Sequence, residues 1–323
     1  LFTRRLLLAA STASLLTRPA ILRAAEYPDR PITLVIGYAP GALTDVMVRL
    51  VAEKMAQELG QPVVVENRTG AATAIASTAV ANARPDGYTL LIGTNSLAIN
   101  PALLPGATPK DPLTELEPIG EVYYSPFALL ARRGLPANNL AELIALARQK
   151  PGELNYGSSG SGSVNHLLTE LLLQRSGMEI VHIPYRGGAP ALVELRSGRI
   201  DLFYATPLDS QPLLRDGVAH PILMSSPQRI PMMPDVPSVA ESFEGCTGVL
   251  WQGLFSPPGT PAPIRERLFT VLRKVIEAPE LRQNVASRGV VLMDGDAAAL
   301  RRRLAEEMRI WPEVIRQGGI TPG

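Results

Sequence analysis

The stretch Leu154-Asn155-Tyr156-Gly157-Ser158-Ser159-Gly160-Ser161-Gly162-Ser163, followed by Leu167, Leu168, Leu171 and Leu172 and closed by Gly177, holds a complete strand, loop and helix. The first three residues make a short strand, the Gly/Ser tract reads as a loop, and the leucines recur at helical spacing ahead of a terminating glycine. Working outward, Ile180 to Ile183 reads as the next strand and Tyr185-Arg186-Gly187-Gly188-Ala189 as its turn. A helix then reaches Gly198, and Ile200 to Tyr204 is a third strand. The same order stands earlier in the chain. Ile32 to Ile36 is a strand, Ala39 to Asp45 a breaker-rich loop, and Met47, Leu50, Val51, Met55 and Leu59 mark a helix ended by Gly60. Val63 to Val65, the turn Asn67 to Ala71, an Ala-rich helix stopping near Pro85 and a strand from Tyr88 to Ile92 complete that half. Arg68, Gly70 and Ala71 recur as Arg186, Gly188 and Ala189, each 118 residues further on. Two βαβαβ halves with parallel sheets follow from this alternation.

Between the halves the sequence predicts one strand over 119–131 and a helix from Asn139, with Glu142 at the capping-box position. After the second half come Pro- and Met-rich loops over 227–237, a strand from Val249 to Phe255, and two closing helices. One opens at Pro261 and Pro263; the other is capped by Asp296. With 323 residues, 46% of them hydrophobic and 19% charged, the chain suits two domains that each bury a core.

Residues 1–25 read as an export signal: Arg4 and Arg5, then an apolar run from Leu6 to Thr17, then Ala24 and Ala25 before Glu26. The run around Arg4-Arg5 resembles a twin-arginine signal, with an ordinary secretory signal as the alternative. Without that segment 27 basic residues face 30 acidic ones, a net of −3, which excludes a nucleic-acid binder. Cys246 is the single cysteine, so neither an internal disulfide nor a lipid anchor at the cleavage site is expected. An exported, unanchored chain points to the periplasm.

In open α/β sheets ligands sit beyond the carboxyl ends of the strands. Two of those ends are loops that feed helix N-termini: Gly41, Ala42, Leu43, Thr44 and Asp45 in the first half, and Ser158, Ser159, Gly160, Ser161, Gly162 and Ser163 in the second. Free N–H groups and helix dipoles there would grip a carboxylate from both sides. Thr94 and Asn95 after the third strand, Tyr204 and Asp209 at the matching place, and His166 beside the Ser/Gly loop complete the candidate site. For His166, ligand contact and plain capping weigh equally. His182 reads as structural and Trp251 as core. No G-x-S-x-G elbow, P-loop, dinucleotide fingerprint or metal-ligand spacing of His166, His182 and His220 is present, so neither catalysis nor a cofactor is expected.

Several stretches resemble one family in the right order. They include Val64-Val65-Glu66-Asn67-Arg68, Pro85-Asp86-Gly87-Tyr88-Thr89-Leu90, Leu154 to Gly160, Pro184-Tyr185 with Gly187-Gly188-Ala189-Pro190, and Asp235-Val236-Pro237. Over 27–323 the chain resembles the Bug family, solute receptors of tripartite tricarboxylate transporters. The resemblance implies an α/β periplasmic binding protein of type II, a Venus flytrap of two βαβ lobes joined by two crossover strands. Lobe one would hold 27–125 and 250–323, and lobe two 126–249. It further implies a small organic acid as ligand, held by the amides of the two loops. The partners would be one large and one small integral-membrane transporter subunit, and the receptor itself a monomer. Two departures narrow this. Ala42 and Leu43 replace two glycines of the family's first loop, and Ala205 stands where an acidic residue often follows the aromatic one. Both favour a plain or partly apolar carboxylate over an amino acid. A receptor for a sensor kinase and an exported enzyme on a similar fold are the competing readings.

Overall fold

The computed structural model describes residues 27–41, 43–104, 106 and 109–322; the expected export signal and Ala42 lie outside them. The chain opens with β1 (Ile32–Ile36), α1 (Leu43–Leu59), β2 (Val63–Asn67), a short turn over Ala71–Thr73, α2 (Ala74–Ala81), β3 (Thr89–Thr94), α3 (Ser96–Leu103), α4 (Pro112–Glu115) and β4 (Glu117–Ser125). It continues with β5 (Ala128–Arg132), α5 (Leu140–Gln149), β6 (Asn155–Ser158), α6 (Val164–Ser176), β7 (Val181–Pro184), α7 (Gly188–Ser197), β8 (Leu202–Ala205), α8 (Pro207–Arg215) and β9 (Ala219–Met224). It ends with β10 (Leu250–Ser256), α9 (Ala262–Glu277), α10 (Pro279–Ala286), β11 (Val291–Leu292) and α11 (Ala297–Gln317).

These strands form two sheets of one topology, β2-β1-β3-β10-β4-β11 and β7-β6-β8-β5-β9. In each, the three strands of the repeat run parallel, and the fourth runs antiparallel to its neighbours. The sheets are therefore mixed, where alternation alone predicts parallel ones. The cause lies in the connections: β5 and β10 each arrive directly from the other lobe, with no crossover helix to restore the strand direction.

The strand expected over 119–131 is in fact two, β4 in one sheet and β5 in the other. Pro126, which lacks an N–H, sits at the break. The two crossings are stitched together there. Phe127 N–H donates to Ser225 Oγ at 2.9 Å, and Ser225 N–H donates to the Phe127 carbonyl at 2.8 Å. Two closing helices were expected, and α10 is a third between them.

Apolar faces explain the layering. The outer face of the first sheet buries Ile32, Leu34 and Ile36 against Met47, Val51 and Met55 of α1 and Leu268, Leu272 and Val275 of α9. The outer face of the second buries Leu130 and Phe203 against Leu195 of α7 and Leu213 of α8. A third core runs between the lobes. It holds Trp251 and Trp311, both fully buried, with Leu97 and Leu103 of α3 and Leu167 and Leu168 of α6. Helix α11 spans both lobes here, accepting from Gln174 Nε2 at the Val314 carbonyl at 3.2 Å. No helix among the described residues is long and apolar enough to cross a membrane.

Candidate functional site

A cavity of about 570 Å³ lies between the lobes, where the carboxyl ends of β1, β3, β6 and β8 face one another. Phe127 and Leu250, one from each crossing, also line it. A second hollow of similar volume lies along Phe269 to Ala278 of α9 and its end; a single helix forms it, so it is a surface groove.

Four helices point their first turns at the cavity without a side-chain cap. At α6 the N-cap Ser163 makes no capping bond; its Oγ lies 2.6 Å from the Gly160 carbonyl and 2.7 Å from Asn165 Oδ1. Helix α7 starts after Gly187, which has no side chain to offer. Thr73, before α2, turns its hydroxyl to Ser96 Oγ at 2.7 Å instead of capping. Asn95, before α3, spends its amide on the Val249 carbonyl, the Glu307 carboxyl and the Trp251 N–H. The contrast lies elsewhere on the surface. Asp111, Asn139 and Asp296 each cap their helices, and α9 and α10 open on proline. Helix α8, by contrast, is capped by Thr206. No Lys or Arg side chain lines the cavity among the described residues. An anion there meets backbone N–H groups and aligned dipoles rather than a cation.

On the second lobe the wall is the Ser/Gly loop. Gly160 (φ 131°) and Gly162 (φ 75°) take conformations that a side chain disfavours. A Cβ on Gly162 would also stand 2.0 Å from Leu103 Cδ2 of the opposite lobe. Asn165 braces the loop, accepting from Ser159 N–H at 3.2 Å and donating to Ser159 Oγ at 3.0 Å. Behind the loop His166 and His182 stack with centroids 3.7 Å apart. Gly162 N–H donates to His166 Nδ1 at 3.0 Å, and Ser158 Oγ lies 2.6 Å from His182 Nε2. Burial lowers His166 from 6.5 to about 3, helped by its histidine neighbour, and lowers His182 to about 4. The Ser158–His182 contact is not a hydrolase pair: Ser158 is fully buried and its Oγ already accepts the Gly160 N–H.

On the first lobe the wall is strained. Ala71, Ala72 and Thr73 occupy the left-handed region in succession, at φ 44°, 48° and 73°. For residues with side chains this is costly, and it persists only because neighbours impose it. Asn100 Nδ2 donates to the Ala72 carbonyl at 2.8 Å, and Ser96 holds Thr73. The loop after β1 is tied by Asp45, whose carboxylate accepts from Gly41 N–H (2.9 Å), Arg49 (2.9 Å) and Asn67 Nδ2 (2.8 Å). The Arg49 contact leads in holding Asp45 down, from 3.8 to about 2. Beneath α3, Glu307 accepts from Asn95 and, at 3.0 Å, from Trp311 Nε1. Burial nevertheless pushes its carboxyl up to about 7.

Of the residues singled out from sequence, Leu43, Thr44, Ser159, Gly160, Ser161, Gly162, Ser163, Tyr204 and Asp209 line the cavity. Asp209 is exposed and its carboxylate accepts from Thr206 Oγ1 at 2.7 Å. Gly41, Asp45, Thr94, Asn95, Ser158 and His166 do not line it. Asp45, Asn95, Ser158 and His166 brace the walls from behind through the bonds above. Ala42 lies outside the described residues. The sequence reading omits Tyr38, Thr73, Ser96, Asn100, Asn165 and Gly188, all of which line the cavity. A signal for two of them was at hand: the repeated turns at Arg68 and Arg186 also sit at strand carboxyl ends, yet only the loops after the first and third strands entered the candidate site.

Two lobes of one topology, joined by two crossings around an uncapped, cation-free cleft, define a solute-binding protein. Residues 47–320 match the family described as the tripartite tricarboxylate transporter family receptor (TctC), and the chain belongs to it. It is a periplasmic solute-binding protein, not an enzyme. A UPF0065 protein of Bordetella pertussis is 34% identical over 314 residues, 97% of each chain. Among solved structures, R. palustris Rpa4515 with adipate shares 33% identity at a TM-score of 0.80, covering 92% of this chain and 100% of that one. MatC from Rhodopseudomonas palustris with bound malate shares 31% at 0.77, covering 90% and 100%.

Proposed function

We propose that this receptor captures a plain or partly apolar small carboxylate, with dicarboxylates the first candidates, and delivers it to one large and one small integral-membrane subunit. It acts as a monomer, without a cofactor, and closes a lobe of 27–125 plus 250–323 on a lobe of 126–249. The observation that carries this reading is the pairing of four uncapped helix N-termini with a cleft that has no Lys or Arg among its described lining residues. Such a cleft suits an anion that backbone amides can chelate. Leu43, Ile99, Phe127 and Leu250 supply apolar surface for the body of the acid. Malate and adipate, held by the two relatives, fit that description, with adipate the more apolar.

The test is calorimetric titration of the mature protein with malate, adipate and a panel of mono- and dicarboxylates. At least one acid should bind. Gly160→Val should weaken it about five- to hundredfold, because valine at φ 131° costs about 1–3 kcal/mol of strain, which the chain relieves by displacing the loop. A folded Gly160→Val variant that binds as tightly as the parent sinks this placement of the site. Failure of every acid in the panel sinks the ligand class.

A further inference from the structure

We propose that His166 and His182 are positioning residues: a neutral pair that holds the Ser/Gly loop from behind by accepting hydrogen bonds. That the loop grips the carboxylate rests on the function proposed above; that the pair shapes the loop does not.

Neither ring lines the cavity, yet each governs one loop glycine. His166 does so directly, through the Gly162 N–H. Because its Nδ1 accepts, the ring is the Nε2–H tautomer, and a protonated ring would set N–H against N–H. His182 acts through Ser158. The serine Oγ accepts the Gly160 N–H at 3.1 Å, which leaves its own hydrogen for an acceptor, and His182 Nε2 at 2.6 Å is nearer than the Gly160 carbonyl at 3.1 Å. Parallel stacking at 3.7 Å and 14° disfavours two charged imidazoles.

The surroundings hold this state in place. Tyr156 stacks on His182 at 4.9 Å and donates to Glu170 Oε1 at 2.5 Å, which stands 3.8 Å from His166 Nε2. Burial pushes Glu170 upward and both histidines downward, to about 3 and about 4, so the two rings stay neutral through ordinary pH. The consequence is specific. Gly160 and Gly162 spend their amides on the scaffold, which fixes their unusual φ values and holds the neighbouring Ser161 and Val164 on the cavity wall.

Residue-resolved amide exchange by NMR on the full mature protein, without ligand, tests this. In His166→Leu the Gly162 amide should exchange at least tenfold faster, while amides of the β1–β3 core stay unchanged. In His166→Asn, whose Oδ1 can replace Nδ1, protection should return. Ser158→Ala should release Gly160 and leave Gly162 protected; it decides the matter if the leucine variant does not fold. Unchanged exchange at Gly162 in a folded His166→Leu, or at Gly160 in Ser158→Ala, overturns the proposal. Adipate titration of the same variants separates the two readings. A loosened loop with undiminished adipate affinity removes the loop as the carboxylate site and leaves the positioning role standing.

Discussion

On the first lobe the loop after β1 is tied down by charge, Asp45 gathering Gly41, Arg49 and Asn67. On the second the loop after β6 is tied down by neutral acceptors, His166 and, through Ser158, His182. The turns differ in the same way. The first wall forces Ala71, Ala72 and Thr73 into left-handed conformations, whereas the second places Gly160, Gly162 and Gly187 where φ is positive. One repeated unit has thus reached two solutions. A carboxylate under an anion site is tolerable only if its charge is fully met, and Asp45 is surrounded by donors for that reason. A neutral acceptor subtracts nothing from the field of the helix N-termini, so the second wall is the better anion holder of the two.

The largest expected effect is on pH dependence. A histidine whose folded form stays neutral to about 3 or 4 resists protonation, while the unfolded chain takes up its proton near 6.5. Its contribution is therefore complete above pH 6.5 and lost as pH falls. By pH 5 this amounts to about 2 kcal/mol for His166 and less for the half-buried His182. Glu307 works in the opposite sense. Raised from 4.5 to about 7, it takes its proton in the folded state first and adds stability over the same interval. Glu307→Gln should therefore lose about 2 kcal/mol more than the parent between pH 7 and pH 5, read from denaturant unfolding at each pH. Equal slopes would mean that Glu307 does not carry that proton. Asp45, lowered to about 2, gives way only below about pH 3.8. Peptide-level exchange during acidification should accordingly show 157–167 loosening before 37–49.

A smaller effect separates the walls by mutation. Asp45→Ala leaves Gly41 N–H without its acceptor and takes one from Asn67 Nδ2 and Arg49, which keep the Tyr38 carbonyl and Asn67 Oδ1, and should cost about 1–2 kcal/mol. Arg49→Ala should cost less, because the arginine is 49% exposed and solvent already screens it. Chemical denaturation of both variants checks the order. A milder Asp45→Ala would mean that charge is not what fixes the first loop.

Much of this was open to inference from residues alone. The strand, loop and helix at Leu154–Gly177, repeated earlier in the chain, gives both parallel cores and the Ser/Gly wall. Three things were hidden. Helices α3 and α8 carry Pro101 and Pro212 inside them, which local propensity reads as breaks, although packing holds them. The separation of β4 from β5 depends on which sheet each strand pairs with, a long-range fact of which Pro126 is the single local sign. The bracing role of Asn95 follows from Val249, Trp251 and Glu307, partners far along the chain that no spacing rule brings together, whereas Asp45 and His166 brace over four residues, through Gly41 and Arg49 and through Gly162.

The smallest expected effect concerns the strained run of the first wall. Ala72 sits at φ 48°, ψ 46°, where an L-residue is disfavoured by about 1–2 kcal/mol and glycine is not. Glycine there also loses about 0.5–1 kcal/mol more conformational entropy on folding, so Ala72→Gly should leave stability within about 1 kcal/mol of the parent or slightly above it. Two residues on, Ala74 opens α2 in right-handed geometry and is fully buried. Ala74→Gly gains nothing from glycine's freedom and gives up a packed methyl group, so it should cost about 1 kcal/mol or more. Thermal unfolding of the two variants side by side is the measurement. A clear gap, with Ala72→Gly the more stable, would show the first wall held against its own preference by Asn100 and Ser96. Equal losses would mean that the run is not left-handed in solution, and the contrast with the glycine-built second wall would fall.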